Sequence, residues 1–174
     1  MLKNAYMPSV EYYRRLFRYN KKILDEYFRA LSKLPWKTVS KNMESGHYSM
    51  KETFVHILTV YNGWLNYNLY GRSKDIPNNT EHNPDNYHSM KQIAEFKDKV
   101  WMGVEKVLNN LDDKMLQKKL KAPWLPGSYK LGDVMLQASF EEAHHIGEII
   151  AMFWQLDIEP PEMTWMMVTR KFKD

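Results

Sequence analysis

The sequence predicts an all-α protein, an up-and-down-type four-helix bundle with a long crossover. Three observations carry that reading. Four stretches repeat apolar residues at helical spacing, two of them open on a capping box, and no stretch sustains the apolar–polar alternation of a strand. A chain of 174 residues suits one domain over 1–174 with one sizeable core.

The first helix is expected from Ser9 to Leu34, where Tyr13, Leu16, Phe17, Ile23, Leu24, Tyr27, Phe28 and Leu31 share a stripe and Pro35 ends the run. The second starts at the box Ser49-Met50-Lys51-Glu52 and runs through Phe54, Tyr61 and Leu65 to Gly71, a suitable left-handed residue past a helix end. Arg72 to Tyr87 is rich in Asn and Pro and reads as a long polar surface loop, either near a functional end or mobile. The third helix opens at Ser89-Met90-Lys91-Gln92 and carries Ile93, Phe96, Val100, Val104 and Leu111. Asp112 to Tyr129, with Pro123, Pro126 and Gly127, is an irregular crossover with room for one short helical turn. The fourth runs from Leu131 to Leu156, before Pro160-Pro161, and after Gly147 it is apolar nearly all round, as a helix buried on much of its circumference would be. A tail with Trp165, Met166 and Met167 is apolar enough to pack on the bundle or on a partner chain.

Composition removes several functions. With no cysteine there is no disulfide, thiolate metal site or cysteine nucleophile, which suits a reducing interior. The first residues, MLKNAYMPSV, lack a signal peptide's apolar stretch, and the run Ile149 to Trp154 is too short to span a bilayer, so a cytoplasmic location without membrane contact is expected. A net charge of +4 permits nucleic-acid binding, but the basic residues are scattered rather than lined along one helix, so no nucleic-acid partner is expected.

The chemistry concentrates on the fourth helix, in Glu141, Glu142, His144, His145 and Glu148. Positions 137, 141, 145, 148 and 152 form one row, and Glu141 and His145 at i, i+4 could hold one ion together. A metal site needs a further ligand, and of the other histidines only His56 lies within a helical stretch, while His47, His82 and His88 lie in loop-like sequence. Against this stands the bland reading of a surface ion pair, and His56 lies off its helix's main stripe, on a face with Val60, Gly63 and Tyr67. Spacing hardly separates His144 from His145: they sit about 60° and 40° from Glu141 at 100° per residue. Glu141-x-x-His144 is also the half-motif of a di-iron bundle, but Glu44-x-x-His47 is a poor helical partner for it.

At these residues the sequence resembles the DinB-like family. Ser49-Met50-Lys51-Glu52-Thr53-Phe54-Val55-His56-Ile57, followed by Trp64-Leu65, is similar to that family's second helix. Glu141-Glu142-Ala143-His144-His145-Ile146-Gly147-Glu148-Ile149 is similar to its last-helix signature, His-x-x-x-His-x-Gly-Gln-Ile. The resemblance implies a metal site whose ligands fall on His56, Glu141 and His145, with Glu141 in place of a histidine and His144 outside the set. It implies zinc or nickel, while iron or manganese would suit a carboxylate site. It also implies a homodimer and a metal-dependent enzyme acting on a small molecule, a transferase or isomerase that uses a low-molecular-weight thiol; a hydrolase-like reaction is open too. The other reading is a non-catalytic, metal- or small-molecule-binding stress-response bundle. Glu142 or Glu148 could orient a ligand or act as a base, and Gly147 would let a helix or ligand come close.

Overall fold

A computed structural model describes residues 8–172, so the reading of the first residues as lacking a leader lies mostly outside the described residues. The described residues are mostly helical, with one small two-stranded ladder.

Helix α1 spans Val10–Leu31. The Ser9 hydroxyl accepts from the Tyr12 amide at 3.2 Å, supplying one of the partners a helix start lacks. Tyr13, Phe17, Leu24, Tyr27 and Leu31 form its buried face. The chain then tightens through Ser32 and Leu34 into extended Pro35, which starts the short helix α2, Trp36–Val39.

Helix α3, Met50–Tyr61, begins as expected, with the Ser49 hydroxyl accepting from the Glu52 amide at 3.2 Å. Its continuation is not a plain α-helix. At Asn62–Tyr67 the backbone widens into a π-helical turn and then narrows to a 3₁₀ turn, Asn68–Tyr70, before Gly71 at φ +72° ends it. The cause lies in the neighbouring helix, α4 (Met90–Asn109). Asn66 donates to the Val100 carbonyl at 3.0 Å and packs against Gly103, where a β-carbon would come within 2.2 Å of its Oδ1. An inserted residue of this kind re-aims side chains and is frequent at functional sites.

The polar loop forms three 3₁₀ turns, Ser73–Asn78, Thr80–His82 and Pro84–Asn86, and folds His82 against Asn62. The second box closes reciprocally: Ser89 accepts from the Gln92 amide, and the Gln92 side chain accepts from the His88 amide at 2.7 Å.

The crossover holds the short helix α5, Asp113–Leu116, and a ladder that periodicity did not predict. Strands β1 (Lys119–Leu120) and β2 (Tyr129–Lys130) pair antiparallel, Lys119 opposite Lys130, because Gly127 at φ +90° turns the chain back. Two-residue strands are too short to leave an alternating pattern.

Helix α6, Leu131–Gln155, packs most extensively against α3. Its last turns are not buried all round, as the sequence suggested. Ile149, Met152 and Phe153 are buried, but Ala151 is exposed and Trp154 is 57% exposed, leaving an apolar face on the surface. A final short helix, α7 (Trp165–Thr169), lays Trp165 against Tyr19 of α1, with ring centroids 4.9 Å apart. Met166 and Met167 stay exposed. One core joins these elements, and each fully buried residue such as Phe54 or Leu58 contributes about 1.5–3 kcal/mol of apolar burial. No described helix is long and apolar enough to cross a membrane.

Candidate metal centre

The seam between α3 and α6 gathers the site. His56, near the middle of α3, and buried His145, near the middle of α6, meet with ring centroids 4.6 Å apart. A third imidazole comes from the loop ahead of α3. That loop turns sharply, with Glu44, Gly46 and Tyr48 at φ +54°, +51° and +73°. Its amides bond within the turn, Tyr48 to the Ser45 carbonyl at 2.8 Å and Met43 to the Tyr48 carbonyl at 2.6 Å. The result folds His47 back over His56, with rings stacked at 4.0 Å, and 5.0 Å from His145. Left-handed backbone at two non-glycine residues stores strain, which is commonest at functional sites.

One donor atom from each of His47, His56 and His145 lies within 4.8 Å of the others. Burial, and then the proximity of His47 and His145, pushes the His56 imidazole from its ordinary 6.5 down to about 4. Burial and then His145 lower His47 as well. Rings that resist protonation keep lone pairs for a cation, which is the form a metal requires.

Carboxylates orient the cluster. Glu148 Oε2 lies 2.8 Å from His145 Nδ1, a contact that orients the ring and favours the tautomer with its proton on Nδ1. Glu148 fits because Gly46 has no side chain; a β-carbon there would come within 2.2 Å of Oε2. Glu141 Oε1 accepts from Gln137 at 2.6 Å, and its Oε2 lies 3.3 Å from His145 Nε2.

Of the three residues expected from the sequence, His56 and His145 come together with His47, while Glu141 lies beside His145 and outside that cluster. Sequence reasoning passed over His47 because it lies in a loop. The local signal was its place just after Gly46 and two residues before the Ser49 cap. His144 is at the surface, its side chain 68% exposed and 3.4 Å from Glu148 Oε1; His144, His145 and Glu148 form a second, more open grouping. Glu142 faces away, buried and accepting from the Tyr61 hydroxyl at 2.6 Å, so Glu148 is the orienting carboxylate of the pair. Gly147 approaches nothing, since a β-carbon there would meet no atom within 4 Å; the close approach belongs to Gly46. Glu44 to His47 is a loop rather than the helix a di-iron partner motif needs.

A cavity of about 410 Å³ opens beside the cluster. His56, Val60 and Trp64, one turn apart along the second helical stretch, form one wall, and Glu141 and Gln137 of α6 form another. Trp124 and Leu125 from the crossover close the outer side, with the Trp64 and Trp124 rings edge to face at 5.1 Å. An apolar chamber with a few convergent polar groups is the usual form of a small-molecule site.

Comparison with curated proteins gives no match. The DinB superfamily pattern matches residues 17–149, which run from the middle of α1 into α6 and include His47, His56, Glu141, His145 and Glu148. With that match covering most of the length, and with the helical bundle and the histidine cluster in place, the chain belongs to the DinB superfamily.

Proposed function

We propose that the protein is a divalent-metal-dependent enzyme that acts on a small molecule in the cavity beside His56, with a low-molecular-weight thiol as co-substrate. The observation that carries this reading is the triad His47, His56 and His145, three imidazoles within reach of one ion at the head of an apolar chamber. The donors fit a first-row divalent ion such as zinc or nickel. Bound there, the ion would supply positive charge that favours the deprotonated form of a water or thiol at neutral pH.

The chain's own residues supply the rest. Glu148 orients the His145 ring and favours one tautomer. Gln137 steadies Glu141, whose Oε2 can take a proton from a donor in the cavity. Trp64, Trp124 and Val60 exclude water and pack on the apolar part of a ligand. Since the chain contains no cysteine, the thiol belongs to the ligand.

A second ligand set, His56, Glu141 and His145, rests on the 3.3 Å between Glu141 Oε2 and His145 Nε2. Iron or manganese would suit it better. The two sets part on one comparison: His47→Ala empties the site in the first, and Glu141→Ala does so in the second. We place the protein in the cytoplasm as a homodimer, without nucleic-acid or membrane partners.

The activity is tested by incubating metal-loaded protein with small thiols and electrophilic or isomerisable substrates. Thiol-dependent turnover that vanishes in His56→Ala supports the enzyme. Tight metal binding without turnover across that panel, and with no exchangeable position on the ion, supports instead a metal-binding bundle.

A further inference from the structure

Glu142 sits next to Glu141 in sequence, about 100° further round α6, and faces a different cavity from the candidate metal centre. It lines a second cavity of about 170 Å³ between α1, α6 and the segment before α7. We infer that this cavity is a binding site for a small organic cation, an ammonium or amidinium group carried on a compact apolar body.

The cavity holds one strong polar feature. Glu142 is only 3% exposed, and one of its oxygens, Oε2, accepts from the Tyr61 hydroxyl. Among the described residues no donor reaches the other oxygen, and no basic side chain pairs with this carboxyl. The nearest candidate donor is already used. Asn20 Nδ2 spends its two protons on the Tyr61 and Ser139 hydroxyls, each at 2.8 Å. A carboxyl buried with a single donor is costly, and such groups are usually paired.

The rest of the lining selects what could pair with it. Leu16, Ile23 and Ile146 are apolar, and the Tyr12, Tyr19 and Phe140 rings line the same space. Aromatic faces attract cations and repel anions. An N–H-bearing cation would donate to the carboxyl oxygen that Tyr61 leaves free, while its apolar part packed on the aliphatic wall. The volume is close to the roughly 150 Å³ of a cavity known to admit benzene, which sets the size of the body. Tyr12 and Phe140, 46% and 66% exposed, flank an open mouth, and the Tyr19 hydroxyl donates to the Met163 carbonyl to hold the far side. Neither His56 nor His145 lines this space, so the site is separate from the metal centre.

The experiment is an amide-resolved NMR titration with benzylamine and with its neutral analogue benzyl alcohol, run with chelator and again with zinc. The wild-type protein should bind the amine about tenfold tighter or more than the alcohol, with shifts centred on Ser139, Ala143 and Ile146 under both conditions. Glu142→Gln, which keeps an acceptor for Tyr61, should abolish the preference. Ala143→Phe, at an exposed lining position, should block both ligands while leaving the carboxyl intact. Equal affinity for amine and alcohol, an unchanged preference in Glu142→Gln, or shifts centred on His56 and Trp64 would overturn the inference.

Discussion

The His47 ring stacks on the His56 ring, with centroids 4.0 Å apart and 27° between the planes. Two protonated imidazoles could not share that arrangement without strong repulsion, so the contact belongs to neutral rings. The loop that brings His47 there is held by its left-handed residues and by Glu148 from α6, which reaches over Gly46 to His145.

That bridge makes Gly46 a sensitive position. Gly46→Ala places a methyl 2.2 Å from Glu148 Oε2 at a backbone φ of +51°. The variant should lose about 1–3 kcal/mol of stability by chemical denaturation. It should also weaken metal binding about tenfold or more, through lost support of His145. Gly147→Ala, facing open space, should leave metal affinity unchanged. Equal behaviour of the two would show that Glu148 does not depend on the Gly46 contact.

Acid should destabilise the metal-free protein through His56. Unfolded, this imidazole takes up a proton near pH 6.5; folded, burial and then its neighbours His47 and His145 delay that to about 4. Between those values the unfolded state binds more protons, so stability falls as pH falls. Thermal melts from pH 7 to 4 should show wild type losing stability to His56→Asn across this window. A constant difference between the two would contradict the shift.

Glu142 works in the opposite direction and at higher pH. Burial lifts its carboxyl from 4.5 to about 8, against the Tyr61 hydrogen bond, which lowers it. With the second cavity empty, the folded protein therefore holds a proton that the unfolded chain has released, and a cation seated there would draw the carboxyl back toward its ionised form. That stabilisation is full below pH 4.5 and is lost as pH rises through about 8. Melts from pH 5 to 8 should fall more steeply for wild type than for Glu142→Gln. Parallel curves would mean that Glu142 is already ionised at neutral pH.

The exposed face of α6 leads to a prediction about assembly. Trp154 is 57% exposed, with Gly147 and Ala151 exposed along the same face of α6, and this end of the helix presents apolar area that a second copy could cover. Sedimentation should show a dimer for wild type and a shift toward monomer for Trp154→Arg, with the helical signal unchanged. A wild-type monomer at high concentration would exclude the dimer.

What the sequence disclosed follows the range of the forces involved. Ser9, Ser49, Ser89 and Gly71 act within one turn of themselves, so the starts and the second helix's end were legible. The π-helical turn at Asn62 depends on Gly103 and Val100 of another helix, and no local pattern announces it. His56, Glu141 and His145 could be named because helical spacing and family resemblance mark them. His47 could not, since its place depends on Glu44 and Tyr48 adopting a conformation that neither residue type favours. Gly147 misled for a related reason: a glycine beside a histidine motif suggests close approach, but which side of the helix it faces is decided by tertiary packing.

The central claim is that His47, His56 and His145 hold one divalent ion. It is tested most directly by titrating zinc into chelator-stripped wild-type protein and the folded variants His47→Ala, His56→Ala, His145→Ala, Glu141→Ala and His144→Ala, with calorimetric stoichiometry. Wild type should bind one ion per chain. The first three variants should lose it, Glu141→Ala should retain it, and His144→Ala should bind with affinity lowered about tenfold at most. Full retention of the ion in both His47→Ala and His56→Ala, or its loss in His144→Ala alone, would contradict the account.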